Sequence, residues 1–254
     1  MLELSTVLSN RELAHNIYEL TIKVDLSKYQ LKPGQFVHIR VSPSTEHVLR
    51  RPISIASIDT DHSTLTLVYR VGNGQSGTYK LSTLSKGNSL DILMPLGNGY
   101  NLDHLKDEKH ILLVGGGIGV PPLYELSKQL NDKGLKTTHV LGFNSKEDVF
   151  YEDNFKKLGD TYIATADGTY GESGFVTDVI ENLKEDFDKF YACGPIAMLK
   201  VLENTLTIPG ELSLEERMGC GFGVCYACVC QTKSRGQVKI CTEGPVFEKG
   251  EVVL

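Results

Sequence analysis

The cysteines are distributed unevenly, and this feature constrains the fold of the 254-residue chain more than any other. Only Cys193 stands apart, whereas the other five fall within 22 residues: Cys220, Cys225, Cys228, Cys230 and Cys241. The surrounding segment, 211–254, is also rich in glycine and is too short to build a good core without help. In a reducing cytosol such a cluster is typical of metal binding rather than of disulfides. We therefore expect a metal centre to organise the C-terminal segment.

The spacing within this cluster indicates which metal centre to expect. Cys220, Cys225, Cys228 and Cys241 follow the pattern C-x4-C-x2-C-x12-C, which is the plant-type arrangement of thiolates around a [2Fe–2S] cluster. Glycines interleaved with the first cysteines let the backbone turn tightly and point N–H groups at sulfur. A structural Cys₄ zinc site is the alternative, because paired zinc ligands also often have about two to four residues between them. Cys230 is left over and is expected to be structural; the alternative is that it replaces one of the four named ligands.

Composition and charge exclude several classes of protein. Hydrophobic residues make up 41 % and charged residues 23 %, which is typical of a globular chain rather than of a disordered, collagen-like or coiled-coil one. The net charge of −6 argues against general nucleic-acid binding. The N-terminus lacks the basic and then apolar order of a signal peptide, and no apolar run approaches the ~18 residues of a membrane span. We expect a cytoplasmic protein that binds neither nucleic acid nor membrane.

Residues 1–100 have the rhythm of a β domain. Short apolar stretches are separated by turn signals such as Pro33-Gly34 and Gly72-Asn73-Gly74. Strands are predicted at 2–8, 17–24, 36–41, 53–58, 65–71 and 90–94. Strands of this length and spacing favour a small antiparallel β-barrel, with a short helix expected at 78–84.

Residues 101–210 change to alternating strands and helices. Strands are predicted at 110–114, 137–143, 161–165 and 189–193, and helices at 121–131, 175–183 and 196–202. This alternation is typical of a Rossmann-like parallel sheet with helices on both faces. The fold class is thus β followed by α/β: a barrel at 1–100, a parallel-sheet domain at 101–210 and a small cysteine-rich iron–sulfur domain at 211–254.

A glycine-rich loop follows the first strand of the α/β region. Gly115, Gly116, Gly117 and Gly119 precede a helix, where glycines let a pyrophosphate approach the positively polarised helix N-terminus. The run is not a full G-x-G-x-x-G motif, because Pro121-Pro122 follows directly. A turn that needs positive φ would account for one or two of these glycines but not for all. The acid that would read a ribose hydroxyl is not evident, so NAD and NADP both stay open.

Other segments fall where ligands commonly bind. Cys193-Gly194-Pro195 ends a strand at the carboxyl edge of the sheet, although Cys193 could equally be a small buried hydrophobe. Arg51-Pro52-Ile53-Ser54 lies on a barrel strand, where an arginine beside a hydroxyl suits a phosphate. The alternative to a phosphate-binding role for Arg51 is that Arg50 and Arg51 form a solvated basic pair. Tyr69-Arg70 adds a ring and a cation, and Gly77-Thr78 begins the short helix, where a flavin phosphate could sit.

Taken in order, these segments resemble the ferredoxin–NADP⁺ reductase superfamily. The resemblance rests on Pro33-Gly34-Gln35-Phe36, Arg51-Pro52-Ile53-Ser54, Pro95-Leu96-Gly97-Asn98-Gly99, the glycine loop and Cys193-Gly194-Pro195. The stretch at 213–221 (SLEERMGCG) and residues 165–180 are similar to one branch of it, the electron-transfer subunits of B-type dihydroorotate dehydrogenase.

This resemblance implies cofactors and the residues that bind them. FAD would contact Arg51, Pro52, Ile53, Ser54, Val68, Tyr69, Arg70, Gly77 and Thr78, and a [2Fe–2S] cluster would use Cys220, Cys225, Cys228 and Cys241. NAD would lie against Gly115, Gly116, Gly117 and Gly119 and against Cys193, Gly194 and Pro195.

The same resemblance implies a function in pyrimidine biosynthesis. A partner subunit would oxidise dihydroorotate on its own FMN, and electrons would pass through the cluster and FAD to NAD⁺, the two kinds of subunit forming a heterotetramer with two copies of each. The chain departs from the family pattern in a longer stretch at 71–76 and in lacking a C-terminal aromatic that covers the flavin. No side chain is a convincing acid–base catalyst, and Glu215 and Glu216 are expected to be charges at the ends of elements.

Two alternatives stay open at this point. The first is the electron-transfer subunit of a related complex, such as a sulfide dehydrogenase or an NADH-dependent ferredoxin:NADP⁺ oxidoreductase, because one fold serves several functions. The second is a zinc-stabilised nucleotide-binding regulator without redox turnover.

Overall fold

The N-terminal part of the chain forms a closed antiparallel barrel in the computed structural model, which describes residues 1–42 and 44–254. Its strands are β1 (Leu2–Ala14), β2 (Ile17–Lys23), β3 (Phe36–Arg40), β4 (Arg51–Asp59), β5 (Thr64–Arg70) and β6 (Ser89–Leu96). They pair in the order β1-β2-β5-β4-β3-β6, and β6 pairs with β1 to close the barrel. One short helix, α1 (Gly77–Ser82), lies between β5 and β6.

Alternation along each strand decides which side chains point into the barrel. On β3, Val37 and Ile39 are fully buried in the barrel core, whereas Phe36 packs into the core of the second sheet. Because successive side chains point to opposite faces of a strand, His38 lies on the same outer face as Phe36. The outer face of β3 is thus turned toward the rest of the molecule.

Most of the remaining chain builds a 7-stranded sheet. The strands after the barrel are β7 (His110–Gly116), β8 (Lys136–Phe143), β9 (Asp160–Thr165), β10 (Glu172–Ser173), β11 (Lys189–Cys193), β12 (Gly210–Ser213), β13 (Val229–Gln231), β14 (Gln237–Lys239) and β15 (Val246–Glu248). The helices are α2 (Val120–Asp132), α3 (Glu152–Lys156), α4 (Val176–Asn182), α5 (Ile196–Thr205) and α6 (Ile240–Glu243), with 3₁₀ turns at Leu102–His104, Gly117–Gly119 and Lys146–Asp148.

The order of the strands in this sheet positions the glycine loop. The order is β10-β9-β8-β7-β11-β12-β15, and the strands from β10 to β12 are parallel. The chain moves outward from β7 through β8 to β9 and then returns to the other side of β7 with β11. Ligands bind at such a switch point in parallel sheets. The 3₁₀ turn Gly117–Gly119 therefore lies at the favoured ligand edge.

The cysteine-rich segment is built onto this sheet. β12 pairs with β11, and β15 returns antiparallel beside β12, while β13 and β14 form a separate two-stranded ribbon. Cys228, Cys241 and Phe247 pack in the same hydrophobic cluster as Leu112 of β7 and Phe190 of β11. The core that the short segment needs thus comes from the neighbouring sheet. The domain division at 1–100, 101–210 and 211–254 stays a prediction, and β12 crosses its second boundary.

Polar contacts join the barrel to the sheet. The buried Glu125 carboxylate on α2 accepts a hydrogen bond from the backbone N–H of Ile58 and one from Lys128, both at 2.8 Å. On another side, the Tyr151 hydroxyl donates to Glu19 at 2.7 Å. These contacts hold the barrel and the parallel-sheet part together, and a cleft lies between them.

The predicted fold class, an antiparallel barrel followed by a Rossmann-like parallel sheet with a cysteine-bearing C-terminal segment, is confirmed. One difference is the length of β1, which was expected to end at residue 8 and continues to Ala14 because its second half pairs with β2. A second difference is the set of short strands beyond residue 210, which were not predicted.

Within the described residues, no helix combines the length and the hydropathy that crossing a membrane requires.

Candidate cofactor sites

The cysteines of the C-x4-C-x2-C-x12-C pattern form two pairs. The backbone N–H of Cys220 points at Sγ of Cys225 at 3.3 Å, and the N–H groups of Val224 and Cys225 point at Sγ of Cys220 at 3.3 and 3.4 Å. In the second pair, the N–H of Cys241 points at Sγ of Cys228 at 3.4 Å. N–H groups directed at sulfur are what a thiolate ligand needs, and they tune the metal that it binds.

The pairing distinguishes between the two metal centres that the spacing allows. A [2Fe–2S] cluster takes two thiolates on each iron, so two sulfur pairs suit it. A single zinc ion needs its ligands around one point. The donor set therefore fits the dinuclear cluster, and Cys230 belongs to neither pair.

The two pairs differ in electrostatics. Burial opposes ionisation of Cys220, but N–H groups of Cys225, Phe222 and Val224 outweigh it and lower the pKa of this thiol to about 6. Burial and the nearby Cys228 raise the pKa of Cys241 to about 12. A bound metal deprotonates a coordinating thiol outright. The Cys220 thiol is thus prepared as a ligand by the loop backbone, whereas Cys241 depends on the metal to become one.

The cysteine loop contacts the barrel at His38 of β3. Its Nδ1 donates to the carbonyl oxygen of Cys220 at 3.1 Å, which places the hydrogen of the neutral ring on Nδ1. Burial lowers the pKa of His38, so the ring is neutral at neutral pH. Sequence analysis did not single out this residue, because a lone histidine on a barrel strand carries no spacing signal.

The predicted flavin residues of β4 and α1 meet in the structure. The Arg51 guanidinium lies over Gly77, where an added Cβ would be 2.6 Å from Nε. Ser76 caps the helix by accepting from the N–H of Tyr79 at 3.0 Å, and the Thr78 hydroxyl accepts from Gly72 at 3.0 Å. A guanidinium beside the N–H groups of a helix start suits the diphosphate of FAD.

Arg50, the neighbour of Arg51, makes different contacts. Arg50 pairs with Asp91 of β6 at 2.8 Å and also donates to the carbonyl of that residue at 3.0 Å. Arg50 and Arg51 therefore do not act as one solvated basic pair, and Arg51 alone is placed at α1.

The other predicted flavin residues divide between the barrel core and the cleft. The Tyr69 ring is buried in the barrel, where its hydroxyl donates to Asn10 at 2.9 Å, and Ile53 is buried there too. Because both side chains are buried, Tyr69 and Ile53 can contact a ligand only through their backbone atoms. Val68 packs between barrel and sheet, whereas Arg70 reaches the glycine loop, 3.4 Å from a Cβ added to Gly117. Pro52 and Ser54 are half-buried on the outer side of β4.

A cavity of about 510 Å³ opens between the barrel and the carboxyl edge of the sheet. Its walls include several of the residues predicted to bind NAD, namely Gly116, Gly117, Gly119, Gly194 and Pro195. Gly115 instead lies beneath α2, since an added Cβ would be 2.8 Å from Val120. Cys193 is buried in the core, and burial raises the pKa of its thiol, so the interpretation as a small buried hydrophobe fits its surroundings.

The cavity also has walls that the sequence did not indicate. Phe175, which precedes α4, leaves 69 % of its surface exposed at the mouth of the cavity. Glu215 was expected to be a charge at the end of an element, but it lines the cavity opposite the glycine loop. The residue is exposed at the surface, but its position in the cavity wall removes part of the hydration of its carboxyl and so raises its pKa, although Arg70 opposes the shift. Glu215 lies two residues beyond the end of β12, at the ligand edge of the sheet, but β12 itself was not predicted and therefore provided no signal for this residue.

A second cleft lies between β4, the strand that carries Arg51, and the segment that leads into the cysteine loop. Its lining includes Arg51 and Pro52 on the barrel side, and Glu215, Glu216 and Met218 on the other. Glu216 was also expected to be an element-end charge, and the structure places it in this cleft instead. Glu215 lines both this cleft and the cavity at the glycine loop, so the cavity, β4 and the start of the cysteine loop adjoin one another.

A barrel with an arginine at a phosphate-binding turn, a sheet with a glycine loop and two cysteine pairs define an FAD- and NAD-linked iron–sulfur oxidoreductase. Family comparisons agree. Residues 5–100 match the oxidoreductase FAD-binding domain, and residues 113–204 match the oxidoreductase NAD-binding domain. Residues 215–253 match the iron–sulfur cluster binding domain of dihydroorotate dehydrogenase B.

Full-length relatives narrow the class to one family. A protein of Bacillus pumilus is 54 % identical over 252 residues, and one of Fusobacterium nucleatum is 50 % identical over 254 residues. In both cases the match covers 98 % of this chain and 97 % of the relative, which is named "dihydroorotate dehydrogenase B (NAD(+)), electron transfer subunit". The chain belongs to the family of dihydroorotate dehydrogenase B electron transfer subunits.

Solved structures share the architecture. A chain of an NADH-dependent reduced ferredoxin-NADP oxidoreductase, described in relation to flavin-based electron bifurcation, aligns with a TM-score of 0.87 at 28 % identity, covering 98 % of this chain and 89 % of that one. The ferredoxin reductase of carbazole 1,9a-dioxygenase aligns with a TM-score of 0.68 at 16 % identity, covering 80 % and 64 %. The second similarity concerns the fold alone.

Proposed function

We propose that this chain is the electron-transfer half of a complex that oxidises dihydroorotate, and that it delivers the electrons to NAD⁺. The observation that carries the proposal is the proximity of the sites. His38 of β3 bonds to Cys220 and pairs with Pro52 of β4, and Glu215 lines both the cleft at Arg51 and the cavity at the glycine loop. A chain that only bound a nucleotide would not need the first of these contacts.

Each part of the chain has a role in this function. Cys220 and Cys225 would hold one iron, and Cys228 and Cys241 the other. Arg51, with Gly77 and Thr78, would bind the diphosphate of FAD, and the glycines of the loop after β7 would let the NAD pyrophosphate approach the start of α2. When bound, the flavin exchanges electrons in pairs with nicotinamide and singly with the cluster. The residues of this chain position the groups and limit access of solvent to the cleft.

The partner would be an FMN-containing catalytic subunit, with two copies of each subunit in the assembly. Apolar side chains are exposed around the cysteine loop, since Phe222, Val224 and Tyr226 each leave more than half of their surface to solvent. On the barrel, Leu2 and Leu4 of β1 are also more than half exposed and stand beside β6. Exposed apolar groups of this size mark interaction surfaces. This face offers the partner a short route to the cysteine pairs.

Further features of the chain support the same proposal. All six cysteines are free thiols, as expected in a reducing compartment, and we place the protein in the cytoplasm. The curated relatives are named for NAD(+), which favours NAD⁺ over NADP⁺ as the acceptor.

Reconstitution with the separate catalytic subunit tests the proposal. The anaerobically purified chain should contain flavin and iron–sulfur absorbance that NADH bleaches, and adding it to the FMN subunit should make NAD⁺ an acceptor for dihydroorotate oxidation. The same mixture with Cys225→Ala should keep oxidation by an artificial acceptor and lose reduction of NAD⁺. A colourless protein that contains zinc would refute the proposal in favour of a nucleotide-binding regulator.

The structural similarity to the NADH-dependent reduced ferredoxin-NADP oxidoreductase chain favours a second candidate. In that case the chain would serve a complex whose partner is a larger iron–sulfur flavoprotein. Affinity purification of the chain from its own cells separates the candidates. A flavin-containing partner that retains orotate supports dihydroorotate oxidation, and a larger iron–sulfur partner supports the second candidate.

A further inference from the structure

We infer that His38 is a positioning residue, which holds the Cys220 side of the cysteine loop at a fixed distance from the flavin strand. Its importance for electron transfer rests on the function proposed above. The ring is fully buried, and Nδ1 donates to the carbonyl of Cys220 at 3.1 Å, across 182 positions of sequence. A buried ring with a directional bond to the loop backbone defines where the loop can lie.

The loop has the shape that this contact demands. Gly221 follows Cys220 with φ at +80°, and a Cβ added there would be 2.5 Å from Nδ1 of His38. A side chain at position 221 would therefore both strain the backbone and separate the loop from the ring. The His38 ring thus occupies the space that a side chain at position 221 would need, and only glycine fits at that position.

His38 is placed between the two redox sites. On β3 it pairs with Pro52 of β4 on one side and with Leu93 of β6 on the other. Pro52 is the neighbour of Arg51, which faces α1 at the flavin diphosphate site. One cross-strand step, about 5 Å, therefore separates the residue that holds the cysteine loop from the segment assigned to FAD.

The opposite side of the cysteine segment is held separately. Asn98 donates its backbone N–H to the carbonyl of Gly244 at 2.7 Å and its amide to the carbonyl of Glu243 at 3.0 Å. These bonds fix the Cys241 side on the barrel whether or not His38 is present. Loss of the His38 bond should thus release the loop that carries Cys220 and Cys225 without detaching the whole segment.

A set of His38 variants of the cofactor-loaded full chain tests the inference. His38→Leu removes the donor and keeps an apolar side chain of similar bulk, whereas His38→Asn can place an N–H near the position of Nδ1. In His38→Leu we expect amide exchange at residues 219–224 to become roughly tenfold faster. We also expect the NADH-driven reduction of the cluster, followed by its electron paramagnetic resonance signal, to slow by roughly tenfold to a hundredfold. The preceding bleaching of flavin by NADH should keep its rate, and His38→Asn should restore both altered readouts.

A substitution in the cysteine loop tests the same contact independently of His38. Gly221→Ala should reproduce the His38→Leu effects, because the added Cβ displaces the loop from the ring. Gly236→Ala is the matched control: it has the same left-handed backbone, with φ at +76°, but nothing lies within 4 Å of its added Cβ. If His38→Leu does not yield flavin-loaded protein, the comparison of Gly221→Ala with Gly236→Ala decides whether the contact between the loop and His38 is needed.

The outcomes separate this inference from the proposed function. Wild-type exchange rates and wild-type cluster reduction in His38→Leu would overturn the inference while leaving the function intact. Failure of His38→Asn to restore either readout would also overturn it, because the ring's packing rather than its N–H would then be responsible. If NADH reduces no cluster in the wild-type chain, the proposed function fails, and the exchange rates still show whether His38 holds the loop.

Discussion

The Arg51 guanidinium lies against the backbone of Gly77, with its Nε 2.6 Å from the position that a Cβ would occupy. This relationship brings together a strand and a helix start that are 26 positions apart, so that both predicted phosphate-binding elements can serve one ligand. Gly77→Ala should move the guanidinium away and weaken FAD binding by tenfold or more, as expected for loss of one charge-assisted contact at about 1.5–3 kcal/mol.

The flavin content of purified protein and the dissociation constant from a flavin fluorescence titration measure this effect. Gly74→Ala is the control, because nothing lies within 4 Å of its added Cβ and it belongs to the same loop. Equal retention of FAD by both variants would show that Arg51 does not need its present position.

Cys225→Ala should remove the cluster and leave the flavin site working. One sulfur of the first pair is lost, so one iron has an incomplete ligand set. Cluster iron should fall to background, while bound FAD and NADH oxidation by an artificial acceptor persist. Cys230→Ala should keep its iron, since Cys230 belongs to neither pair, and iron analysis of the two variants compares them directly. Loss of FAD from Cys225→Ala would mean that the barrel and the cysteine segment fold interdependently.

The sequence was most informative where a pattern is local. The cysteine spacing predicted the set of four cysteines, and apolar periodicity predicted the strands of the barrel and most strands of the sheet, because these signals come from neighbouring residues. It was silent on β12 and β15, which are three or four residues long and pair with strands far along the chain. It also placed Tyr69 at the flavin, whereas the alternation of β5 turns that ring into the barrel. His38 and Glu215 acquire their neighbours only through tertiary packing, so no spacing could have indicated them.

Phe175→Ala should weaken binding of NADH and leave the flavin site unchanged. The ring is exposed at the mouth of the cavity beside the end of β8, where it can stack on a planar ring of the dinucleotide. Stacking of a base on an aromatic side chain is worth about 1–3 kcal/mol, so KM for NADH should rise by roughly tenfold with kcat little changed. Steady-state oxidation of NADH by an artificial acceptor measures both constants. Phe222→Ala removes another exposed ring that does not line the cavity, and it should leave KM as it is. Equal effects of the two variants would contradict a stacking role.

His139 should make the protein less stable in mild acid. The ring is buried between β8, α2 and β9, where it forms hydrogen bonds with Ser127 at 2.8 Å and Thr161 at 3.0 Å. Burial lowers the pKa of His139 from 6.5 to about 3. Below pH 6.5 the unfolded chain therefore takes up a proton that the folded chain refuses, and the free energy of unfolding falls as the pH falls through the window from 6.5 to about 3. One proton corresponds to about 1.4 kcal/mol per pH unit, so the residue alone should cost about 2 kcal/mol between pH 6.5 and pH 5.

Urea unfolding of His139→Gln and of the wild-type chain at several pH values isolates this contribution, because all other titrating groups are shared. The variant loses packing at every pH, but its free energy of unfolding should decline less steeply between pH 6.5 and pH 5, by the amount that one proton accounts for. Leu130→Ala is the control, since it also removes buried packing but no titratable group, and it should leave the slope of the wild type unchanged. Parallel curves for His139→Gln and wild type would mean that the folded protein admits a proton at this ring, through a rearrangement that lets water reach Ser127 and Thr161.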